Sequence, residues 1–169
     1  MWGAFGKATD IGCDQAYLLA KQIQKMDLGI DCILSGTLLR ARQTAMIING
    51  VLGGLEMEYE EKLNERAIGE WNKRTIAETE DLITRKVPPV GGETEEQFTA
   101  RISAALWFLL SYAGRKPLIV SSKCVGRVIN TLLGGAGSLQ VANGEIVEFL
   151  ISPNPDGSTD LRVRHPSYV

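Results

Sequence analysis

The chain has 169 residues, of which 44% are apolar and 22% are charged, and its formal net charge is −2. A chain of this size and composition can bury a core without staples, so we expect a single domain over residues 1–169. The charge balance lacks the basic excess that attracts nucleic acid, and nucleic-acid binding is therefore not expected.

Cysteine usage and hydropathy indicate the compartment. Cys13, Cys32 and Cys124 are odd in number and widely spaced, which argues against a disulfide framework or a zinc site and for a reducing compartment. The N-terminus has no signal-peptide core, and no segment approaches the roughly 20 apolar residues of a membrane span. We expect a cytoplasmic protein without a membrane segment, a metal or a cofactor. The sequence leaves open whether it forms a homodimer.

Helices and short apolar runs alternate along the first part of the chain. Trp2–Phe5 is a brief apolar run that suits a strand, and Thr9 or Asp10 is placed to cap the helix that follows. Asp31–Leu34 predicts a buried strand. The next helix ends at Gly53–Gly54, because glycine readily adopts the left-handed conformation that terminates helices.

The middle of the chain continues this alternation. Leu55–Tyr59 suits a half-exposed strand, because charged and apolar residues alternate in it. Leu63–Trp71 shows no period and predicts a loop, and Ile76–Thr84 predicts a polar helix. Thr94 and Gln97 have the spacing of a capping box for a long amphipathic helix.

The last elements complete the predicted fold. Pro117–Val120 suits a strand buried on both faces, and Val125–Leu133 suits a helix. Gly144–Ile151 and Thr159–Val163 flank SPNPDG and predict an antiparallel hairpin. The whole pattern predicts an α/β fold with three α/β/α layers, in which a mostly parallel central sheet carries an antiparallel C-terminal edge strand.

Two turns lie at the carboxyl ends of predicted strands, where ligands bind in such sheets. The first, Ser35–Arg40, opens a helix whose first-turn N–H groups and dipole favour an anion beside Arg40. The alternative is that Arg40 and Arg42 lie on a solvated helix face. The second turn is Ser121–Cys124.

Five segments, in the same order along the chain, resemble motifs of the histidine phosphatase superfamily, which includes the cofactor-dependent phosphoglycerate mutases. The resemblance covers nearly the whole chain and implies a phosphoglycerate mutase-like fold. The segments, with the family patterns in parentheses, are TDIGCDQA (L-T-x-x-G-x-x-Q-A), LSGTLLRARQTA (S-x-x-L-x-R-A-x-Q-T-A), LNERAIGEW (L-x-E-R-x-x-G), GGETEEQFTAR (G-E-S/T and a helix with Arg) and LIVSSKCVGRVI (S-H-G-G and a helix with V-x-R).

The resemblance implies roles for particular residues. The family uses a nucleophilic histidine in an R-H-G motif and a second histidine at the end of a later strand. By resemblance, Arg40 contacts the phosphoryl group and Glu65 is the general acid and base. These roles agree with phosphoryl transfer, which depends on positioning and charge neutralisation. The alternative for Glu65 is a structural partner of Arg66 or Arg40.

The sequence departs from the family at both histidines. The expected position of R-H-G falls before Met1. The second histidine maps onto Ser122, and the glycines that follow it map onto Lys123 and Cys124. His165 is the chain's one histidine, but it matches no family motif, and we do not expect it to be a nucleophile.

The Ser121–Cys124 turn therefore carries a hydroxyl and an ammonium group where the family pattern has a histidine and a glycine. We predict that Ser122 and Lys123 join Arg40 in binding phosphate or a small phosphorylated molecule. The alternative for Lys123 is that it blocks the pocket by pairing with a carboxylate such as Glu65. Cys124, near a helix N-terminus that favours a thiolate, is an alternative nucleophile, but we favour a small buried residue there.

Three interpretations follow. In the first, the chain is a pseudoenzyme that keeps part of a phosphate pocket and acts in binding or assembly. In the second, it is an active phosphatase or mutase whose R-H-G strand is missing from this chain. In the third, it is a structural interaction protein. In each case the place of the family's first strand needs a substitute, and we predict that Trp2–Phe5 occupies it beside Leu118–Ser121.

Overall fold

The computed structural model describes residues 7–85, 87–135, 139–141, 144–153 and 159–164. Two short 3-10 helices, Glu61–Leu63 and Gly69–Lys73, overlap the two ends of Leu63–Trp71, the segment predicted as a loop. The helices are α1 (Asp10–Met26), α2 (Leu39–Leu52), α3 (Ile76–Thr84), α4 (Glu95–Leu110) and α5 (Lys123–Leu132), and the strands are β1 (Cys32–Ser35), β2 (Glu56–Tyr59), β3 (Pro117–Val120), β4 (Glu148–Pro153) and β5 (Thr159–Arg164).

The main sheet of the described residues is parallel and has the strand order β2-β1-β3. Ile33 of the central strand lies opposite Met57 on one side and Leu118 on the other. All four residues of β1 are buried, because this strand has a neighbour at each edge and helices on each face. The predicted parallel sheet is confirmed.

The core lies on both faces of this sheet, because successive side chains of β1 point in opposite directions. Ile33 packs with the buried faces of α1 and α2, and Leu34 packs with those of α4 and α5. Helices therefore cover both faces, which gives the three-layer α/β/α arrangement predicted from the sequence.

The predicted helix boundaries agree closely with the structure. The Thr9 side chain caps α1, and Thr94 and Gln97 form the capping box of α4. Gly53 ends α2 with a φ of 97°, a conformation that glycine adopts without strain. α5 begins at Lys123, two residues before its predicted start.

Two features differ from the sequence predictions. β4 and β5 pair antiparallel as predicted, but within the described residues they form a separate two-stranded sheet instead of the edge of the main sheet. β3 was predicted to be fully buried, yet each of its four residues is only partly buried.

Two predictions concern segments outside the described residues. They are the strand Trp2–Phe5 and the remainder of the predicted SPNPDG turn, residues 154–157. Ser152 and Pro153, which were predicted to open that turn, belong to β4, and β4 begins at Glu148 instead of Gly144. None of the helices in the described ranges combines the length and apolar character needed to cross a bilayer.

Candidate functional site

A pocket of about 350 Å³ lies where the three parallel strands end. Residues after β1, β2 and β3 line it together, because the carboxyl ends of parallel strands meet at one edge of a sheet. Helix α1 supplies another wall. The lining residues used below are Ala8, Leu38, Arg40, Asn64, Glu65, Ser121 and Ser122.

Arg40 and Glu65 form an ion pair at this pocket. Arg40 is the second residue of α2, and its Nη2 donates a hydrogen bond to Oε2 of Glu65. Their side chains are 31% and 29% exposed, so both are partly screened by solvent. The structure therefore brings these two predicted site residues together.

Arg42 has a different environment. It follows Ala41, which lines the pocket. Its guanidinium carbon lies 4.7 Å from the centre of the Tyr59 ring, on which the guanidinium stacks. Arg42 is exposed and does not line the pocket. Of the two arginines in the motif, Arg40 is thus the one at the pocket.

Asn64 fixes the turn between β1 and α2. Its Oδ1 accepts hydrogen bonds from the backbone N–H groups of Thr37 and Leu38, at 2.7 and 3.2 Å. Its Nδ2 donates to the Thr37 hydroxyl at 2.8 Å. A Cβ at Gly36 would lie 2.8 Å from Asn64 Oδ1, which is closer than unstrained atoms approach. Glycine is required here by this close contact.

Arg101 of α4 holds the loop that carries Glu65. It makes a bidentate ion pair with Glu93, in which both N···O distances are 2.7 Å. Its Nη1 also donates to the backbone carbonyls of Lys62 and Asn64, at 2.7 and 2.9 Å. The hydrogen bonds that Arg101 donates to Glu93 hold the pKa of the Glu93 carboxyl below its ordinary value.

Glu93 binds the same loop at further points. Its Oε2 accepts a hydrogen bond from the N–H of Ala67 at 2.8 Å, and its carbonyl accepts one from Arg66 Nε at 3.0 Å. Arg66 therefore supports the loop and does not line the pocket. Arg66 and Arg40 were the two arginines expected as partners of Glu65, and the partner in the structure is Arg40.

The N-terminus of α5 forms the third side of the pocket. Ser122 is the N-cap residue, and its hydroxyl oxygen is buried without a hydrogen-bond partner in the described part of the chain. Lys123 is exposed, lies outside the pocket lining and makes no ion pair with the described residues. The blocking pair between Lys123 and Glu65 is thus not formed.

Cys124 is a poor nucleophile in this setting. Burial raises the pKa of its thiol, and the negative charge of Glu65 raises it further. Both effects disfavour the thiolate, which is the reactive form. Cys124 was predicted to be a small buried residue, and in the structure it is partly buried. His165 lies outside the described residues.

The site also contains residues that the sequence did not single out. Asn64 occupies a variable position of the L-x-E-R pattern, and no single-sequence signal marks it. Gly12, Gln15 and Ala16 of α1 line the pocket and lie in the TDIGCDQA segment, to which no role was assigned. No cluster of potential metal ligands occurs among the described residues.

The comparisons with known proteins identify the family. The family model described as histidine phosphatase superfamily (branch 1) matches residues 8–152. The chain therefore belongs to the histidine phosphatase superfamily. Among curated proteins, none matches the chain.

Several solved structures share the fold. A mycobacterial glucosyl-3-phosphoglycerate phosphatase is 22% identical, with a TM-score of 0.76 over 98% of this chain and 90% of that chain. The alpha-ribazole phosphatase from Shigella flexneri is 19% identical, with a TM-score of 0.72 over 98% and 88% of the two chains. The mycobacterial phosphatase also has structures with inorganic phosphate and with VO3. These neighbours confirm the phosphoglycerate mutase-like fold.

The contacts of Arg101 predict a large effect of its removal. Arg101→Ala leaves the Glu93 carboxylate without its bidentate partner and frees two loop carbonyls, so we expect the free energy of unfolding to fall by about 2–4 kcal/mol. Arg85→Ala is the matched control, because the Arg85–Asp81 pair is 67% and 75% exposed; its effect should be under about 0.5 kcal/mol. Urea denaturation measures both. Equal losses would contradict the role given to Arg101.

The lowered pKa of Glu93 predicts a pH dependence. In the unfolded chain the carboxyl returns to its ordinary value of 4.5. A carboxyl with a lower pKa in the folded state stabilises the fold above that ordinary value, and the stabilisation is lost as the pH falls through the folded pKa. Below pH 4.5, the stability of the wild type should therefore fall more steeply than that of Glu93→Gln. Urea denaturation over a pH series tests this, and parallel curves would refute it.

Proposed function

We propose that this chain binds the phosphate group of a small phosphorylated molecule and does not itself perform phosphohistidine chemistry. It would act in binding or in assembly, as a pseudoenzyme of its superfamily. One observation carries this proposal: Ser122, which by resemblance maps onto the family's second histidine, lines the same pocket as Arg40 and Glu65.

Phosphate binding is supported by the two helix N-termini at the pocket. Neither Leu38, the N-cap of α2, nor Ser122, the N-cap of α5, makes a side-chain capping hydrogen bond. First-turn N–H groups without a side-chain cap, together with the positive end of the helix dipole, favour an anion. Arg40 adds a guanidinium, whose planar donors match phosphate oxygens. The solved complex of the mycobacterial phosphatase with inorganic phosphate supports the same ligand.

The roles of the remaining residues follow from their positions. The Ser122 hydroxyl is a donor for a phosphate oxygen, because it is buried beside the pocket without another partner among the described residues. Lys123, at the start of α5, contributes positive charge near the mouth of the pocket. Glu65 competes with the anion for Arg40 and keeps a residual acid and base role in our proposal.

The lack of transfer chemistry follows from the same residues. Phosphoryl transfer in the superfamily needs an imidazole in line with the phosphoryl group. A serine hydroxyl is a weak nucleophile unless a base activates it, and Glu65 is engaged by Arg40. The alternative is an active phosphatase whose R-H-G strand is missing from this chain. The solved neighbours support this alternative, because they are named as phosphatases. Measured phosphate binding would distinguish the pseudoenzyme and the active phosphatase from the third interpretation, a purely structural protein.

The first test is phosphate affinity. Isothermal titration with inorganic phosphate should show weak binding to the wild type, and Arg40→Ala should weaken it by about 10-fold or more, because a charged donor is lost. Arg42→Ala is the matched control, since Arg42 stacks on Tyr59 away from the pocket; it should bind as the wild type does. Equal affinity in Arg40→Ala and the wild type would remove Arg40 from the site.

The second test is turnover. Phosphoglycerate and an aryl phosphate should give no turnover above background and no acid-labile phosphoenzyme. Ser122→His alone should not restore activity, because the second histidine assists a nucleophile that the described pocket lacks. Turnover that is abolished by Glu65→Gln or by Cys124→Ser would contradict the pseudoenzyme proposal and identify the residue responsible. Turnover unchanged in both variants and in Arg40→Ala would point to contamination.

A further inference from the structure

The pocket is larger than a phosphate group requires. Its volume of about 350 Å³ falls in the range of roughly 300–1,000 Å³ that holds a whole small-molecule ligand. Arg40 and Ser122, the proposed phosphate contacts, lie where β1 and β3 end. The remaining volume is available to the organic group that carries the phosphate, and the residues that line it decide which class of group fits.

Helix α1 forms one long wall of this remaining volume. It runs parallel to α2, because the Ala8 N–H at its start donates to Gln43 Oε1, and Gln24 near its end donates to the Val51 carbonyl at 3.1 Å. The N-terminus of α1 therefore lies at the phosphate end of the pocket. The lining residues of α1 extend for about 10 Å from that end. They are Gly12, Gln15, Ala16 and Leu19.

The inner part of the pocket is apolar. Ala16 and Leu19 of α1 lie in the same lining as Val120 of β3, and both Leu19 and Val120 pack against one core cluster. Arg40 and Glu65 are the only charged residues of the described lining. Charge is thus confined to the phosphate end, and hydrocarbon surrounds the volume beyond it.

Most polar side chains of the lining are engaged within the protein. Thr44 donates to the Arg40 carbonyl at 2.9 Å, and the Ser121 hydroxyl donates to the Leu63 carbonyl. The amide of Asn64 binds the turn after β1 through both its oxygen and its nitrogen. The hydroxyls of a sugar or polyol would therefore lose water in this pocket and find few partners, which lowers affinity.

We propose that the pocket binds the phosphate monoester of an apolar alcohol or phenol, with its hydrocarbon group against α1 and its phosphate beside Arg40. This inference rests on the proposed phosphate site and names the class of ligand that the site takes. Covering Leu19 and Val120 with hydrocarbon removes apolar surface from water and adds affinity. A sugar or polyol phosphate makes the same phosphate contacts without that gain.

Two phosphate esters with the same ring skeleton test the ligand class. Cyclohexyl phosphate carries a hydrocarbon ring, and inositol 1-phosphate carries hydroxyls on that ring. In isothermal titrations of the wild type, cyclohexyl phosphate should bind at least about 10-fold more tightly than inorganic phosphate. Inositol 1-phosphate should bind no more tightly than inorganic phosphate, because the desolvation of its hydroxyls offsets the contacts of the ring.

Two adjacent leucines of α1 provide a matched pair of variants. Leu19 lines the pocket, whereas Leu18 is 61% exposed and lies outside the lining. Leu19→Gln should weaken cyclohexyl phosphate binding by about 10-fold and leave inorganic phosphate binding unchanged. Leu18→Gln should bind both as the wild type does. Gln15→Leu, at an exposed position of the same wall, enlarges the apolar surface and should tighten cyclohexyl phosphate binding by about 3-fold.

The results that contradict this proposal differ from those that contradict phosphate binding. If inorganic phosphate binds through Arg40 but inositol 1-phosphate binds as tightly as cyclohexyl phosphate, the ligand class is wrong and the proposed function stands. Unchanged affinity for cyclohexyl phosphate in both Leu19→Gln and Gln15→Leu would overturn the position given to the hydrocarbon group. If inorganic phosphate and both esters fail to bind, the proposed function fails and this inference fails with it. The comparison of the two esters needs no variant to fold.

Discussion

The bidentate ion pair between Arg101 and Glu93 is the interaction on which the site depends. It joins α4 to the segment before it, and the same guanidinium binds the carbonyls of Lys62 and Asn64. Leu63 anchors the start of this loop in the core, and the hydrogen bonds of Arg101 hold the residues that follow it. Because this loop carries Glu65, Arg101 determines where that carboxylate meets Arg40 without touching the pocket itself.

The same loop ties together the carboxyl ends of the strands. Asn64 accepts two backbone hydrogen bonds from the turn after β1. The Ser121 hydroxyl, after β3, donates to the Leu63 carbonyl at 2.5 Å. The loop itself follows β2, so all three parallel strands are braced at the edge where the pocket lies. The pocket is therefore held in shape by hydrogen bonds between this loop and the ends of the strands.

On our proposal, a pocket held by these hydrogen bonds persists while the reaction of the superfamily is lost. Arg40 and Glu65 retain the geometry that the braced loop imposes. In that proposal the change falls on Ser122, the N-cap residue of α5. Function depends on the residues placed in a site, and the fold alone does not decide it.

The sequence by itself determined the elements, the parallel sheet and the position of Arg40, because these depend on local patterns. A cap such as Thr94 lies within one turn of the helix it starts, and an apolar run such as that of β1 marks its own burial. The tertiary structure alone decided the contacts of Arg101, whose carbonyl partner Asn64 is 37 residues away, and the exposure of Lys123. Such contacts join distant segments, and no local pattern in one sequence encodes them.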